Sequence, residues 1–225
     1  MLLGGRQRGF SIHTAMALPA RTLFAIGTGQ QSFGLVAELP HGPDWPIPDD
    51  PALLRIRDTR AQAELTTLLE TMQREHNEAR PLMDEAMNAQ ARLLTVWLRR
   101  EMLKADAEPA RLSASEKLAD AYAALVERDH AKGFAIRDFA RSLGVTPTHL
   151  TRICKTTAGM TASGLLSRRL LHAARDLLEN GDMPANRVAA TLGFRSAAYF
   201  SRFIQQHTGH SPSALRKAGR AGHGA

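Results

Sequence analysis

The chain has one cysteine in 225 residues, so no disulfide framework can hold it together and its fold must come from packing. Long apolar runs are equally scarce. No window approaches the ~18 to 20 uninterrupted apolar residues of a membrane-spanning helix, and the opening MLLGGRQRGF has two arginines but no apolar run of signal-peptide length behind it. The expected location is therefore the cytoplasm, with no membrane partner. Catalytic signatures are missing too: there is no nucleophile elbow, phosphate-cradling glycine loop, metalloprotease motif or spaced carboxylate pair. The glycines of GTGQQ (residues 27–31) precede no lysine-serine or lysine-threonine pair and no helix. The chain is not expected to be an enzyme or to carry a cofactor. The alternative, an active site among the N-terminal strands, would keep its turnover after deletion of residues 111–225.

Acidic charge is short in one half only. Residues 1–110 carry 12 Lys+Arg and 14 Asp+Glu, while residues 111–225 carry 17 and 8, so the formal excess of +7 lies entirely in the C-terminal half. A compact basic half attracts polyanions, of which nucleic acid is the commonest. What is plentiful is apolar material, 44% of the chain, enough for one large domain or two ordinary ones.

The first forty residues hold two β-favouring runs, TLFAIGTG and FGLVAEL, parted by the polar turn GQQS, and read as strands. A proline-rich loop follows, with Pro40, Pro43, Pro46, Pro48 and Pro51 excluding regular helix. The period then changes. Leu65, Leu68, Leu69, Met72 and His76 recur at three- and four-residue steps, the face of a helix that breaks at Asn77. Pro81 can open the next helix, in which Met83, Ala86, Met87, Leu94, Trp97 and Leu98 make a second stripe. A short joint implies an antiparallel pair. Two readings of its stripes stand: they pack only on each other and on the strands, or they leave a face for a homodimer. The small and polar stretch ADAEPARLSAS (residues 105–115) reads as a linker, and Ser113 with Glu116 has the S-x-x-E spacing of a capping box.

The C-terminal half repeats itself. LTRICKTTAGM (residues 150–160) returns as FSRFIQQHTGH (residues 200–210), with Leu150 answered by Phe200, Ile153 by Phe203, Cys154 by Ile204 and Gly159 by Gly209. Arginine alone among the polar positions is kept, as Arg152 and Arg202. IRDFARSLGVTPTHLTRICK supplies each role of a helix-turn-helix: Phe139, Leu143, Val145, Leu150 and Ile153 as core, Ala140 for close approach, Gly144 for the left-handed turn, Thr146 as N-cap and Pro147 as first helical residue. NRVAATLGFRSAAYFSRFIQ repeats the plan with Val188, Ala189, Leu192, Gly193, Phe194 and the N-cap Ser196, its turn one residue longer. Between them ASGLLSRRLLHAARDLLE (residues 162–179) reads as one amphipathic helix, Leu165, Leu166, Leu170, Ala173, Leu177 and Leu178 inward. Its 18 residues span about 27 Å, a rod able to hold two recognition helices roughly one DNA turn (~34 Å) apart.

RVAATLGFRSAAYFSRFIQQHTGHSPSALRK resembles the signature of the AraC/XylS family of bacterial transcription regulators: alanine before the turn, G-F after it, S-x-x-Y-F-S-R, then G-x-S-P-x-x-x-R. The resemblance covers Ala114 to about Lys217. Ile204 and Gln205 depart from it, standing where the family more often has phenylalanine and lysine. It implies double-stranded DNA and RNA polymerase as partners, a homodimer, a β-barrel sensor joined to the DNA-binding domain, and a small-molecule effector such as an aromatic acid or a sugar. The N-terminal half fits only in part, because some forty residues of strand-forming sequence are too few to close a barrel. The expectation is a truncated or reduced sensor, with a ligand-independent DNA-binding module as the alternative to an effector-responsive regulator.

The expected fold is mostly α: a C-terminal all-α domain of two helix-turn-helix units joined by a long helix, preceded by a partial β segment and an antiparallel helix pair. Its expected divisions are 1–60, 61–104, a linker at 105–113, and 114–220. With the core positions inward, Thr148, His149, Thr151, Arg152 and Lys155 face out on the first recognition helix. Ala198, Tyr199, Ser201, Arg202 and Gln205 do so on the second, and Arg195 and Ser196 in the preceding turn complete the expected DNA contacts. Arginine can pair bidentately with guanine, hydroxyls reach bases or phosphates, and the Ala198 methyl can meet a thymine methyl. Cys154 matches Ile204 and reads as core. His207 and His210 form H-x-x-H without further cysteine or carboxylate ligands, so no metal is expected. His13 and His41 lie where a sensor would offer ligand contacts, with no spacing to support it.

Overall fold

The computed structural model describes residues 1–27, 33–40, 42, 45–104 and 112–222. In chain order the described residues form strands β1 (Leu2–Leu3), β2 (Arg6–Gln7), β3 (Thr14–Ala17), β4 (Phe24–Ala25) and β5 (Ala52–Arg55). The helices are α1 (Thr59–Glu78), α2 (Met83–Lys104), α3 (Ala114–Asp129), α4 (Ile136–Ser142), α5 (Pro147–Ala158), α6 (Ala162–Glu179), α7 (Ala185–Thr191), α8 (Ala197–Thr208) and α9 (Pro212–Gly222), with a 3-10 turn at His130–Lys132. The architecture is mostly α, as the sequence implied. Contacts divide the chain into two units, one built from Gly9–Thr22 and the segment from Ile26 through α2, the other from Leu2–Arg8, Leu23–Ala25 and Leu112 onward.

In the first unit β3 and β5 pair antiparallel, Thr14 opposite Arg55 and Ala17 opposite Ala52. Asp58 caps α1 by accepting from the Arg60 N–H, and the helix ends where Ala79 turns left-handed at φ 45°. Trp97, 5% exposed, donates its indole N–H to the Ala61 carbonyl at 3.1 Å. A contact between the start of α1 and the later part of α2 makes the pair antiparallel. Leu54, Ile56, Ala61 and Trp97 form the core here.

Several sequence expectations in this region are corrected. FGLVAEL is not a strand: it pairs with no strand among the described residues, and Phe33 and Val36 are 88% and 92% exposed. Among the described residues of TLFAIGTG only Phe24–Ala25 is extended and paired. The turn GQQS, most of GTGQQ, His41 and most of the linker lie outside the described residues. α1 runs past Asn77 to Glu78, and α2 starts at Met83 instead of Pro81, after Leu82 takes φ 66°. His76 is exposed, and its neighbour Glu75 is the buried member of that turn, ion-paired with Arg80.

The second unit begins with a hairpin. Gly4 and Gly5 both take positive φ, 52° and 69°, the type I′ geometry that pairs Leu3 with Arg6 and Leu2 with Gln7, and β4 adds to the other side of β1. A Cβ on Gly5 would lie 2.5 Å from the Ala119 carbonyl, so the turn rests on α3. Ser113 and Glu116 form the capping box that starts α3. Two cores follow. The first joins Leu2, Tyr122, Val126, Phe139, Leu150, Cys154 and Leu165, with the Tyr122 hydroxyl donating to the Ala162 carbonyl at 2.7 Å. The second joins Ala174, Leu178, Val188, Leu192, Phe200, Phe203, Ile204 and Leu215. The beginning of α6 lies in the first and its end in the second.

Candidate nucleic-acid interface

Each recognition helix is started and stopped by the same devices. Thr146 Oγ1 accepts the His149 N–H at 3.2 Å, Ser196 Oγ accepts the Tyr199 N–H at 3.1 Å, and Gly159 and Gly209 end the helices in left-handed conformation. The preceding turns need Gly144 and Gly193 at φ 67° and 72°. Burial of Leu150, Ile153 and Cys154 on α5, and of Phe200, Phe203 and Ile204 on α8, fixes how each helix is rotated. At ~100° per residue the line opposite that core carries Thr148, Arg152 and Lys155 on α5, and Ala198, Arg202 and Gln205 on α8. All six are exposed.

Of the other expected contacts, Arg195, Ser196 and Tyr199 are exposed, while His149, Thr151 and Ser201 are half-buried at the margins of the outward face. His149 lies against its neighbour, with the Arg152 guanidinium 3.2 Å from the imidazole Nδ1. Neither helix contains an Asp or a Glu. Among the described residues Arg152, Lys155, Arg195 and Arg202 pair with no carboxylate, whereas many cations elsewhere in the unit do. Arg169 holds Glu127 at 2.6 Å, Lys132 holds Asp129 at 2.8 Å, Arg175 holds Glu179 at 2.7 Å and Arg220 holds Asp182 at 2.6 Å. Unneutralised positive charge is thus left on the recognition helices and their turns. An open groove beside the start of α5 is lined by Arg137 and Arg141, which share Asp138 as an ion-pair partner at 3.9 and 3.8 Å. Sequence reasoning missed this pair, although its four-residue step about the core residues Phe139 and Ala140 marks an exposed face of α4.

Two links hold the motifs together. α6 is one; the other is a backbone contact that no periodicity announced. A Cβ on Gly193 would lie 2.4 Å from the Gly133 nitrogen and 2.5 Å from the Ala131 carbonyl, and one on Gly133 would lie 2.7 Å from the Gly193 carbonyl. The turn of the second motif therefore abuts the chain just ahead of α4 in the first. Cys154 is fully buried and burial pushes its thiol up to about 11, the behaviour of a packing residue. The His207 ring packs tilted against Phe203 with ring centroids 4.6 Å apart.

A pair of capped helix-turn-helix units joined by α6, with basic, acid-free recognition helices, defines a double helix-turn-helix domain. The model of the helix-turn-helix domain family matches residues 139–218, and these residues form a helix-turn-helix domain of the AraC type. The chain is similar to the virulence regulon transcriptional activator VirF of Yersinia enterocolitica, 30% identical over 91 residues that make up 40% of this chain and 34% of that protein. It is also similar to the raffinose operon transcriptional regulatory protein RafR of Pediococcus pentosaceus, 26% identical over 114 residues, 51% of this chain and 41% of that protein. The chain thus spans between about a third and two fifths of the length of these relatives. Among solved structures, the C-terminal domain of AraT, a response regulator from Geobacillus stearothermophilus, is 25% identical and covers 48% of this chain and 88% of that chain at a TM-score of 0.43. Among the described residues no helix is long and apolar enough to cross a membrane.

Proposed function

We propose that the chain is a sequence-specific DNA-binding transcription regulator that works in the cytoplasm and inserts α5 and α8 into successive major grooves on one face of a duplex. The observation that carries this reading is the matched pair of outward lines, each with a central arginine free of carboxylate partners, on helices tied together by α6 and the Gly133–Gly193 contact. The names of the relatives, a transcriptional activator and an operon regulator, support it. Arg152 and Arg202 contact base edges, with Thr148, His149, Thr151, Arg195, Ser196, Ala198, Tyr199 and Ser201 around them, and Lys155 neutralises phosphate. The test is selection from random duplexes by the full chain and by its Arg152→Ala and Arg202→Ala variants. Each substitution is expected to cost ~1 to 3 kcal/mol on the selected site and to relax one base position. Unchanged base preferences in both variants would overturn the assignment.

RNA polymerase is the partner through which such a regulator acts. A homodimer would form through an exposed face of α2 that lies outside its sequence stripe. Trp97 is buried in the pair and Met83, Met87 and Leu94 are half-buried, whereas Leu93, Val96 and Leu103 are exposed at steps of three and seven residues along one side. Val96→Glu is expected to turn a dimer into a monomer in sedimentation. Among the described residues the strands form two small separate sheets, which supports DNA occupancy by this chain without an effector. Calorimetry with aromatic acids and sugars is expected to show no micromolar binding.

A further inference from the structure

The outward lines of the two recognition helices agree in the middle and differ at both ends. Arg152 matches Arg202, but Thr148 is matched by Ala198, and Lys155 by Gln205. Gln205 is exposed, is spaced one helical turn after Arg202, and among the described residues has no side-chain hydrogen bond to hold it away from a bound duplex. Its exchange for lysine is a change of kind. A lysine ammonium is a point charge that neutralises phosphate and raises affinity for every sequence alike. A glutamine amide adds no charge, and its paired acceptor and donor fit the N6 and N7 of adenine, a pattern offered only in the major groove of that base.

We propose that Gln205 is a specificity-determining residue that reads an adenine in the half-site facing α8, at the place where Lys155 gives α5 a sequence-blind phosphate contact. The inference rests on the DNA-binding reading above. It makes the two half-sites chemically unequal although the helices share one frame: the α8 half-site is defined at the Gln205 position and the α5 half-site is degenerate at the equivalent one. Ala198 fits the same picture, because it offers a methyl group where Thr148 offers a hydroxyl.

The experiment is selection from random duplexes by the full chain, by Gln205→Ala, and by the exchange variants Gln205→Lys and Lys155→Gln, with salt dependence measured on each selected site. The wild-type chain is expected to select adenine at one position of one half-site by roughly 5- to 150-fold over the other bases, the range of a bidentate side chain–base pair. Gln205→Ala should erase that preference and leave the salt slope unchanged. Gln205→Lys should erase it and steepen the slope by about 0.9, while Lys155→Gln should flatten the slope by about 0.9 and bring an adenine into the other half-site. Adenine preference surviving in Gln205→Ala, with duplexes still enriched, would overturn this inference and leave the DNA-binding reading standing. Failure of the wild-type chain to enrich any duplex would overturn both.

Discussion

The two helix-turn-helix units share a frame and differ in what closes it. In the first, the core around Leu150 and Cys154 is completed by α3 and by Leu2, 8% exposed, with Leu23 packed against it. In the second, the core around Phe200 and Ile204 is completed by the end of α6 and by Leu215 of α9. Seven residues of one helix and twelve of the next cannot bury a core between them, so each motif borrows a lid. The first borrows from the far end of the chain and the second from the residues that follow it. The motif is therefore portable in sequence while its stability is local to its surroundings.

The largest effect is expected where the two helix-turn-helix motifs touch. Gly193→Ala puts a methyl 2.4 Å from backbone at Gly133 and forces a non-glycine residue to φ 72°. Strain and overpacking together should cost about 2 to 4 kcal/mol in urea unfolding, and specific DNA binding should drop with it. Gly144→Ala, with the same left-handed backbone but open space around its Cβ, should cost only about 1 kcal/mol.

The borrowed lid comes next. Leu2→Ala should destabilise the C-terminal unit by about 2 kcal/mol through the cavity it leaves in the first core. A matching loss is expected from Leu215→Ala in the second. If Leu2→Ala left unfolding unchanged, the hairpin would not belong to that core.

The smallest effect depends on pH. Asp129 is held well below the usual carboxylate range by its hydrogen bonds to Arg128 and Lys132, against the opposing effect of burial. A depressed folded pKa gives stability that is full above the unfolded value of ~3.9 and is lost as pH falls through the folded one. Asp129→Asn should therefore lower the urea midpoint at pH 7, and the gap to wild type should shrink at pH 3. An equal gap at both would assign the loss to packing instead of charge.

Most of the C-terminal half was legible because its signals are local. The caps Thr146 and Ser196, the glycines 144 and 193, and the stripe of α6 from Ala162 to Glu179 act within one or two helical turns, and the structure places them as read. The errors lie where a partner distant in sequence decides. Phe33–Leu39 has strand-favouring side chains but no strand beside it among the described residues, and the stripe of α2 leaves the packing of Trp97 open until Ala61, thirty-six residues earlier, accepts its N–H. The hairpin of Leu2–Gln7 carried a usable signal, two glycines between short apolar and polar runs, that went unread. The Gly133–Gly193 contact had none, since each glycine alone looks like an ordinary helix stop.

One chain is expected to lay both recognition helices into neighbouring major grooves. Hydroxyl-radical and methylation footprinting of the full chain on its selected duplex tests this most directly, beside a variant with three residues inserted in the middle of α6. The wild-type chain should protect two major-groove segments on one face, about 10 base pairs apart. The insertion, which adds about 4.5 Å and turns one motif by roughly 300°, should leave one segment protected. A single protected groove with the wild-type chain, or two unchanged grooves with the insertion, would contradict it.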